Sequence, residues 1–387
     1  MKTVFDIMVE NDSARKMADF QVKQKLPYEF KKIYAEVRAR EFVDMCGAHN
    51  KNYHVSVGGL DSIVLLLFLR SIGIYCPAIS VSSLEDKSIQ KIHNALGVIR
   101  LKSAKKEDGT YWKKPDIIRE FGFPVLSKEI AAKIELLQNP SEKNVTVRHA
   151  IITGETGEYG GNQKNSRMKL PQKWLELFAG YENENEGVDY QIAPFKVSSK
   201  CCYYLKEKPC DDWAKENNSV PFLGLMASEG GRRAKSLKMH GCNYWGKSTV
   251  RSAPFAIFSR QDILQLALDM DEWYQKNWKS FKPIVIDVDT GEISYDEPIY
   301  LGTIVPEIYG DIVRDFNGVL FTTGAQRTGC SMCGFGIHME KRPHRFDALR
   351  ERNYKEWDFY MNHLCKDSEG NDYGWGLVLD YVGVGWR

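Results

Sequence analysis

The pattern of apolar and polar positions changes from helical to alternating strand and helix spacing near residue 50. Before that point the apolar residues of Tyr28–Met45 recur at helical intervals among many charges. Afterwards the pattern predicts a strand, a helix, a strand, a helix and a strand: Tyr53–Val57, Asp61–Ile72, Ala78–Val81, Asp86–Leu96 and Val98–Leu101. Strands and helices that alternate with short links predict an α/β fold with a doubly wound, mostly parallel sheet.

The rest of the chain is less regular. The pattern weakens between about residues 105 and 200, resumes with a strand at Pro221–Ala227 and a helix at Arg260–Trp278, and becomes loop-rich after about residue 280. We therefore predict three parts. They are a helical N-terminal segment (1–50), a nucleotide-binding α/β domain with an insertion at about 105–200 (51–280), and a loop-rich C-terminal region carrying a C-x-x-C (281–387).

Composition narrows the class of protein. The chain is 43% hydrophobic, which is enough for a buried core, and its formal net charge of +2 indicates no global nucleic-acid footprint. Its longest apolar run, Ile63–Leu69, is far shorter than the roughly 20 residues of a membrane helix. Nine cysteines in uneven clusters are typical of metal ligands or reactive thiols in a reducing compartment, so we expect a cytoplasmic protein.

A glycine-rich turn, Ser56–Ser62, joins the first predicted strand to the following helix. Gly58 and Gly59 let the backbone approach a ligand closely, and the start of the helix offers unpaired N–H groups to an anion. Ser62 would add a hydroxyl donor, and Asp61 could cap the helix. The turn is a candidate phosphate site, and an ordinary capped turn is the alternative.

A second glycine segment has the spacing of a P-loop but not its sequence context. Gly241–Ser248 satisfies the expression G-x-x-x-x-G-K-[ST], yet it follows a basic segment instead of a hydrophobic strand. We therefore expect no P-loop here, and keep Lys247 as a candidate phosphate contact.

Five cysteines are candidate metal ligands. Cys330 and Cys333 form a C-x-x-C, whose two thiolates can face one metal, while Cys201 and Cys202 are adjacent and Cys242 stands alone. Four thiolates suit an iron–sulfur cluster or zinc, and C-x-x-C by itself does not select the metal. Inert buried cysteines remain the third alternative.

Arginines follow the later strand. Glu229 precedes a glycine pair and then Arg232 and Arg233. Paired arginines at the end of a strand can hold a sulfate or phosphate through bidentate hydrogen bonds.

These motifs together resemble the phosphoadenosine phosphosulfate (PAPS) reductase family of PP-loop ATP pyrophosphatases. The residues that match the PP-loop pattern S-G-G-x-D-S are Gly58, Gly59, Asp61 and Ser62. Val57 stands where the family usually has Ser, and Leu60 where many members have Lys. The resemblance implies an adenine nucleotide α-hydrolase-like, Rossmann-like fold that binds ATP with Mg²⁺ through the whole turn, Ser56 to Ser62.

Other segments carry the same resemblance. Glu229 and the two arginines look like the family's anion-binding loop, and Ser82 lies where PP-loop proteins contact adenine and ribose. The Cys-Cys pair with the distant C-x-x-C is similar to the [4Fe–4S] ligands of adenosine phosphosulfate reductases. The residues for which the resemblance implies catalytic roles are Asp61, Ser62, Arg232 and Arg233.

Three functions stay open. Sulfonucleotide reductases attack sulfur with a cysteine in a C-terminal Glu-Cys-Gly-Leu-His tail, but this chain has no cysteine after Cys365. The first hypothesis is therefore an ATP-using enzyme that adenylates or thiolates a substrate, with a nucleic acid or partner protein as candidate acceptor. The second is a reductase whose thiol has moved to Cys365 or Cys242. The third is a non-catalytic regulator that binds nucleotide and cluster. We expect no membrane partner, and a homodimer is compatible with each.

Overall fold

Strands and helices alternate between residues 52 and 101, whereas helices alone lie between residues 101 and 219 in the described part of the chain. The computed structural model describes residues 4–81, 85–180, 190–247, 249–286 and 292–387. The helices are α1 (Val4–Gln24), α2 (Tyr28–Ala48), α3 (Leu60–Ser71), α4 (Lys87–Ala95), α5 (Lys114–Phe121), α6 (Lys128–Gln138), α7 (Val145–Thr153), α8 (Gln172–Phe178), α9 (Lys200–Cys202), α10 (Lys208–Glu216), α11 (Gly231–His240), α12 (Arg260–Asn277), α13 (Arg345–Arg352), α14 (Tyr354–Asn362) and α15 (Trp375–Val382). The strands are β1 (Asn52–Ser56), β2 (Ala78–Val81), β3 (Ile99–Leu101), β4 (Ser219–Leu223), β5 (Asn243–Trp245), β6 (Val250–Ser252), β7 (Ile284–Ile286), β8 (Ile293–Tyr295), β9 (Ile312–Arg314), β10 (Leu320–Thr322), β11 (Cys365–Lys366) and β12 (Asp372–Tyr373).

The chain divides into two compact units, each made of two stretches of sequence. The first unit comprises Met1–Lys102 and Pro209–Gly329, and the second Ser103–Lys208 and Cys330–Arg387. Each unit has its own core of buried apolar side chains. The expected insertion and the C-x-x-C tail thus share one unit, because apolar side chains from both stretches bury one another. Hydrophobic periodicity alone does not reveal such a long-range pairing.

A six-stranded sheet is the centre of the first unit. Its strand order is β3-β2-β1-β4-β6-β5, and all neighbouring pairs are parallel except the β5–β6 pair. The predicted α/β class and mostly parallel sheet are confirmed.

Helix α3 follows β1 and has a long run of apolar residues in its centre. Every side chain of Ile63–Leu69 is buried, and a helix that is apolar on all sides belongs inside a protein. It packs against α12. No helix within the described residues combines the length and the apolar character that crossing a membrane requires.

The predicted N-terminal helical segment forms α1 and α2, of which α2 is tied to α12. Lys31 of α2 and Asp262 of α12 form a buried ion pair with an N–O distance of 2.7 Å. Asp262 also accepts hydrogen bonds from the backbone and hydroxyl of Ser259, which caps α12. One carboxylate thus fixes both the start of α12 and the position of α2.

The strand order reverses between β1 and β4. From β1 the chain moves outward through β2 to β3, and then returns to β4 on the other side of β1. In open α/β sheets, ligands bind outside the carboxyl ends of the strands at such a reversal. The Gly58–Gly59 turn follows β1 at this point of the sheet.

Histidine 54 gives a test of the core between β1 and β4. It is buried and hydrogen-bonded to Ser219 Oγ at 2.8 Å, and burial lowers its pKa from 6.5 to about 4. As pH falls from 6.5 towards 4, the unfolded chain binds a proton that the folded chain does not. The free energy of unfolding should therefore drop by about 3 kcal/mol over this window, with no further loss from this group below pH 4.

Urea unfolding of the wild type and His54→Gln at pH 7.5 and pH 4.5 measures this effect. The difference in unfolding free energy between the two pH values should be smaller in the variant. An equal difference in both proteins would contradict the assignment to His54.

Candidate functional site: the glycine turn and the cysteine cavity

Internal hydrogen bonds fix the Gly58–Gly59 turn. The Gly58 amide donates to Ser62 Oγ at 2.7 Å, and the Ser62 hydroxyl donates to the Gly59 carbonyl at 2.8 Å. The ring of His93, on α4, donates through Nε2 to the Gly58 carbonyl at 2.8 Å. The Ser62 hydroxyl was expected to face an anion, but in the structure its proton is used on the Gly59 carbonyl. Its role here is to hold the turn.

The backbone amides of the turn differ in their hydrogen-bond partners. The Leu60 amide donates to Tyr309 Oη at 3.1 Å. Among the described residues, neither the Gly59 amide nor the Asp61 amide donates a hydrogen bond. Two donors at the positive end of α3 are thus without an internal partner, as an anion site requires.

A chain of charges lies beside the turn. Asp61 Oδ1 accepts from Arg260 Nη1 at 2.6 Å, and Glu229 Oε1 lies 3.8 Å from Arg327 Nη2. Burial raises the pKa of Asp61, while Arg260 and Arg327 act in the opposite direction. Asp61 does not cap α3, whose N-cap is Gly59, because its carboxylate is turned to Arg260.

Four residues at the turn were missed by sequence reasoning: Arg260, Tyr309, Arg327 and Thr328. No spacing links them to the turn, since they follow it by about 200 positions or more. Arg260 was recognised only as the start of a helix. The best available signal was the Arg327-Thr-Gly segment directly before the C-x-x-C.

The other predicted residues of the turn have structural roles. Ser56 ends β1, opposite Leu223 of β4, and Val57 and Leu60 are buried. Their apolar side chains join the core of the first unit. They stand where the PP-loop pattern has Ser and Lys, so any phosphate contact there would come from the backbone.

Lysine 247 lies at the opposite end of the strands from the glycine turn. It follows β5, which runs antiparallel to β6, whereas β6 is parallel to β4 and β1. The β5–β6 loop therefore lies at the edge opposite the glycine turn, and the expected phosphate contact of Lys247 is not supported. The Gly241–Gly246 segment contains strand β5 and opens no helix, as its context predicted.

Three predicted residues cannot be placed by their side chains. Ser82 lies outside the described residues. Arg232 and Arg233 lie in the first turn of α11, but their side chains are not described. Glu229, just before this helix, contributes through Arg327 to the charges described above.

Four cysteines of the second unit line one cavity. Its space, including part that is open to solvent, is about 270 Å³. The lining residues are Lys114, Pro124, Cys201, Cys202, Leu205, Lys206, Cys330, Cys333 and Phe335. Two stretches that are more than a hundred residues apart in sequence thus bring their thiols together.

The C-x-x-C forms a tight turn. The Cys333 amide donates to the Cys330 carbonyl at 3.1 Å, and Met332 between them has a left-handed φ of 50°. Lys114 Nζ donates to the carbonyl of Ser331. Gly334 follows, and a Cβ there would overlap the ring of Trp375. The turn therefore depends on a residue without a side chain.

The Cys-Cys pair lies at the start of a helical segment. Ser198 Oγ accepts from the Lys200 amide and donates to Glu135, both at 3.0 Å, which fixes the first turn. A five-residue π-helical turn, Tyr203–Glu207, follows directly. Such turns often occur at functional sites.

Electrostatics set the state of these thiols. Burial raises the pKa of Cys201 to about 12, and the other three thiols act in the same direction, while Lys114 opposes them. Burial also raises the pKa of Cys202, against the effect of Lys128. The thiolate forms of Cys201 and Cys202 would need a positive partner stronger than these lysines, such as a metal ion.

Cys242 does not line this cavity. It lies in the core of the first unit, where its thiol is hydrogen-bonded to Tyr34 and burial raises its pKa to about 11. The isolated cysteines Cys46 and Cys365 are also buried. Of the five candidate ligands, the structure therefore brings together Cys201, Cys202, Cys330 and Cys333.

The chain was also compared with known protein families, with curated proteins and with solved structures. None of the three comparisons found a match.

Gly334→Ala tests the C-x-x-C turn. Overlap of the new methyl group with Trp375, together with its 3.0 Å approach to the Pro124 carbonyl, should lower the free energy of unfolding by about 3 kcal/mol. Gly157→Ala is a matched control in the same unit, since its Cβ would meet only Thr146 at 3.9 Å. Denaturant unfolding measures both, and equal stability of the two variants would contradict this account.

Proposed function

We propose that this protein is a PP-loop enzyme similar to the PAPS reductase family. In this proposal it binds ATP at the glycine turn and a [4Fe–4S] cluster at the cysteine cavity. It adenylates a substrate, or transfers sulfur to it, with release of pyrophosphate. The first unit would then have an adenine nucleotide α-hydrolase-like fold. The observation that carries the proposal is the convergence of Cys201, Cys202, Cys330 and Cys333 on one cavity.

The number and type of the donors support a metal site with four thiolate ligands. Four thiolates suit a cluster with iron at four corners, and they suit zinc as well. The resemblance to the [4Fe–4S] ligands of adenosine phosphosulfate reductases favours the cluster. Within the described residues, no three His, Cys, Asp or Glu side chains are arranged to hold a single metal ion. Phe335, Pro124 and Leu205 provide apolar walls against solvent.

The glycine turn supports nucleotide binding through its backbone. The amides of Gly59 and Asp61 would donate to phosphate oxygens at the start of α3. Arg327 is loosely paired and its side chain is 70% exposed, so it is able to turn to a phosphate. The carboxylates at the turn, Asp61 and Glu229, face arginines, so Mg²⁺ would arrive with the phosphates of ATP.

The proposed reaction needs alignment more than a strong protein base. An acceptor oxygen forms a bond to the α-phosphorus of ATP, the bond from that phosphorus to the bridging oxygen breaks, and pyrophosphate and a proton leave. The turn would hold the leaving pyrophosphate, and Arg260 holds the Asp61 carboxylate at 2.6 Å. When bound, a cluster supplies electron transfer or a site for sulfur. A nucleic acid or a partner protein is the candidate acceptor.

Burial of the remaining thiols argues against the reductase alternative. A nucleophilic cysteine needs an accessible thiolate, but Cys365 and Cys242 are buried, and burial raises the pKa of both. One observation favours the regulator alternative. The Leu60 amide already donates to the hydroxyl of Tyr309, so one donor of the turn is used within the protein.

Iron and acid-labile sulfide in anaerobically purified protein test the cluster. Single Ser variants of each of the four cavity cysteines should lose most of both, because each removes one ligand. Cys242→Ser and Cys365→Ser are the matched controls and should keep the wild-type content. Equimolar zinc without iron, or loss of iron in Cys242→Ser only, would overturn the assignment.

Pyrophosphate release from ATP and calorimetric ATP binding test the nucleotide site. Arg327→Gln should weaken ATP binding roughly fivefold, because one charged phosphate contact is lost. Arg40→Gln is the control, since Arg40 is an exposed arginine of α2 that pairs with Glu36. If cluster-loaded protein neither binds any nucleotide nor releases pyrophosphate, the enzymatic proposal is wrong. ATP binding without release would favour the regulator.

A further inference from the structure

The side chain of Tyr309 lies over the glycine turn. Its hydroxyl accepts from the Leu60 amide at 3.1 Å and lies 2.6 Å from Thr328 Oγ1. A Cβ built on Gly59 would be 2.6 Å from Tyr309 Oη and 3.0 Å from Thr328 Oγ1. The two hydroxyls therefore occupy the side of Gly59 that the missing side chain leaves open.

A phosphate oxygen bound at the start of α3 would use the same Leu60 amide that Tyr309 now contacts. The Leu60 amide is the first N–H of α3, at the positive end of the helix. A single amide hydrogen has one strong acceptor at a time, so a phosphate oxygen and Tyr309 Oη compete for it. The tyrosine hydroxyl is the weaker competitor because it is neutral.

The backbone around Tyr309 is held on several sides. The Tyr309 carbonyl accepts from the Gly324 amide at 2.8 Å, and the Ile308 carbonyl from the Ala325 amide at 2.9 Å. The Ile308 amide donates to Ser88 Oγ at 3.2 Å. Release of the Leu60 amide therefore requires a shift of the Tyr309 side chain, not of its chain segment.

We propose that Tyr309, held by Thr328, is an internal ligand of the glycine turn that phosphate must displace. This inference rests on the proposed nucleotide site and adds its regulation. Part of the binding free energy of a triphosphate or pyrophosphate is then used to break the Tyr309 contacts. The affinity measured for the wild type is lower than that of the open turn.

Calorimetric titration of the full-length protein with ATP, and separately with pyrophosphate, tests the proposal. Tyr309→Phe keeps the ring but removes the competing oxygen, so both ligands should bind about fivefold more tightly. Thr328→Val removes only the partner of Tyr309 and should give a smaller gain. Tyr274→Phe is the matched control, because Tyr274 is a buried tyrosine of the same unit whose hydroxyl donates to the Ile299 carbonyl at 2.9 Å. Its affinity for both ligands should equal that of the wild type.

Hydrogen exchange without ligand gives a second readout. The peptide containing Leu60 should exchange faster in Tyr309→Phe than in Tyr274→Phe, because its amide has lost an acceptor.

The outcomes separate two kinds of failure. Unchanged or weaker binding in Tyr309→Phe, with ATP still bound by the wild type, overturns the competition and makes Tyr309 a bystander or a direct ligand contact. Absence of ATP and pyrophosphate binding in the wild type and in all variants overturns the nucleotide site itself.

Discussion

The close approach of β4 to the first turn of α3 is the constraint on which the glycine turn depends. A Cβ at Gly224, directly after β4, would lie 3.1 Å from backbone atoms of Asp61 and Ser62. This distance is shorter than ordinary van der Waals contact, so any other residue at this position would require the backbone of α3 to move by a few tenths of an ångström. With β4 pressed against it, α3 begins at a fixed point between the two central strands. Within the described ranges the amides of Gly59 and Asp61 make no hydrogen bond, and they lie at the reversal of strand order, where ligands bind in open α/β sheets.

At the glycine turn, two arginines supply the positive charge that the apolar side chains of Val57 and Leu60 cannot supply. Val57 and Leu60 are buried in the core, so the turn has no side-chain donor where PP-loop proteins often have Ser and Lys. Arginines from α12 and from the segment before the C-x-x-C supply positive charge instead, each matched by a carboxylate. A bound anion would draw the loosely held Arg327 away from Glu229.

The cysteine cavity differs from the glycine turn because it is lined by thiols instead of backbone amides and ion pairs. Burial raises the pKa of Cys201 and of Cys202, which favours the neutral thiol form of both. The rigid parts are the turns that carry them. Glu135 and Ser198 fix the Cys-Cys pair, and Gly334 lets the C-x-x-C turn fit under Trp375. Contacts within the second unit thus order the two segments that carry the four cysteines.

Local patterns in the sequence were sufficient for the α/β class, for helix α3 and for the glycine turn, because each depends on neighbours within a few residues. The sequence also marked all four cavity cysteines, but it left Cys242 as a fifth candidate and placed a boundary near residue 280. Tertiary structure alone separated Cys242 from the others, put Lys247 at the opposite edge of the sheet, and brought Arg260, Arg327 and Tyr309 to the turn. The reason is physical: these outcomes depend on strand direction and on packing between distant segments, and neither leaves a period or a spacing in the chain.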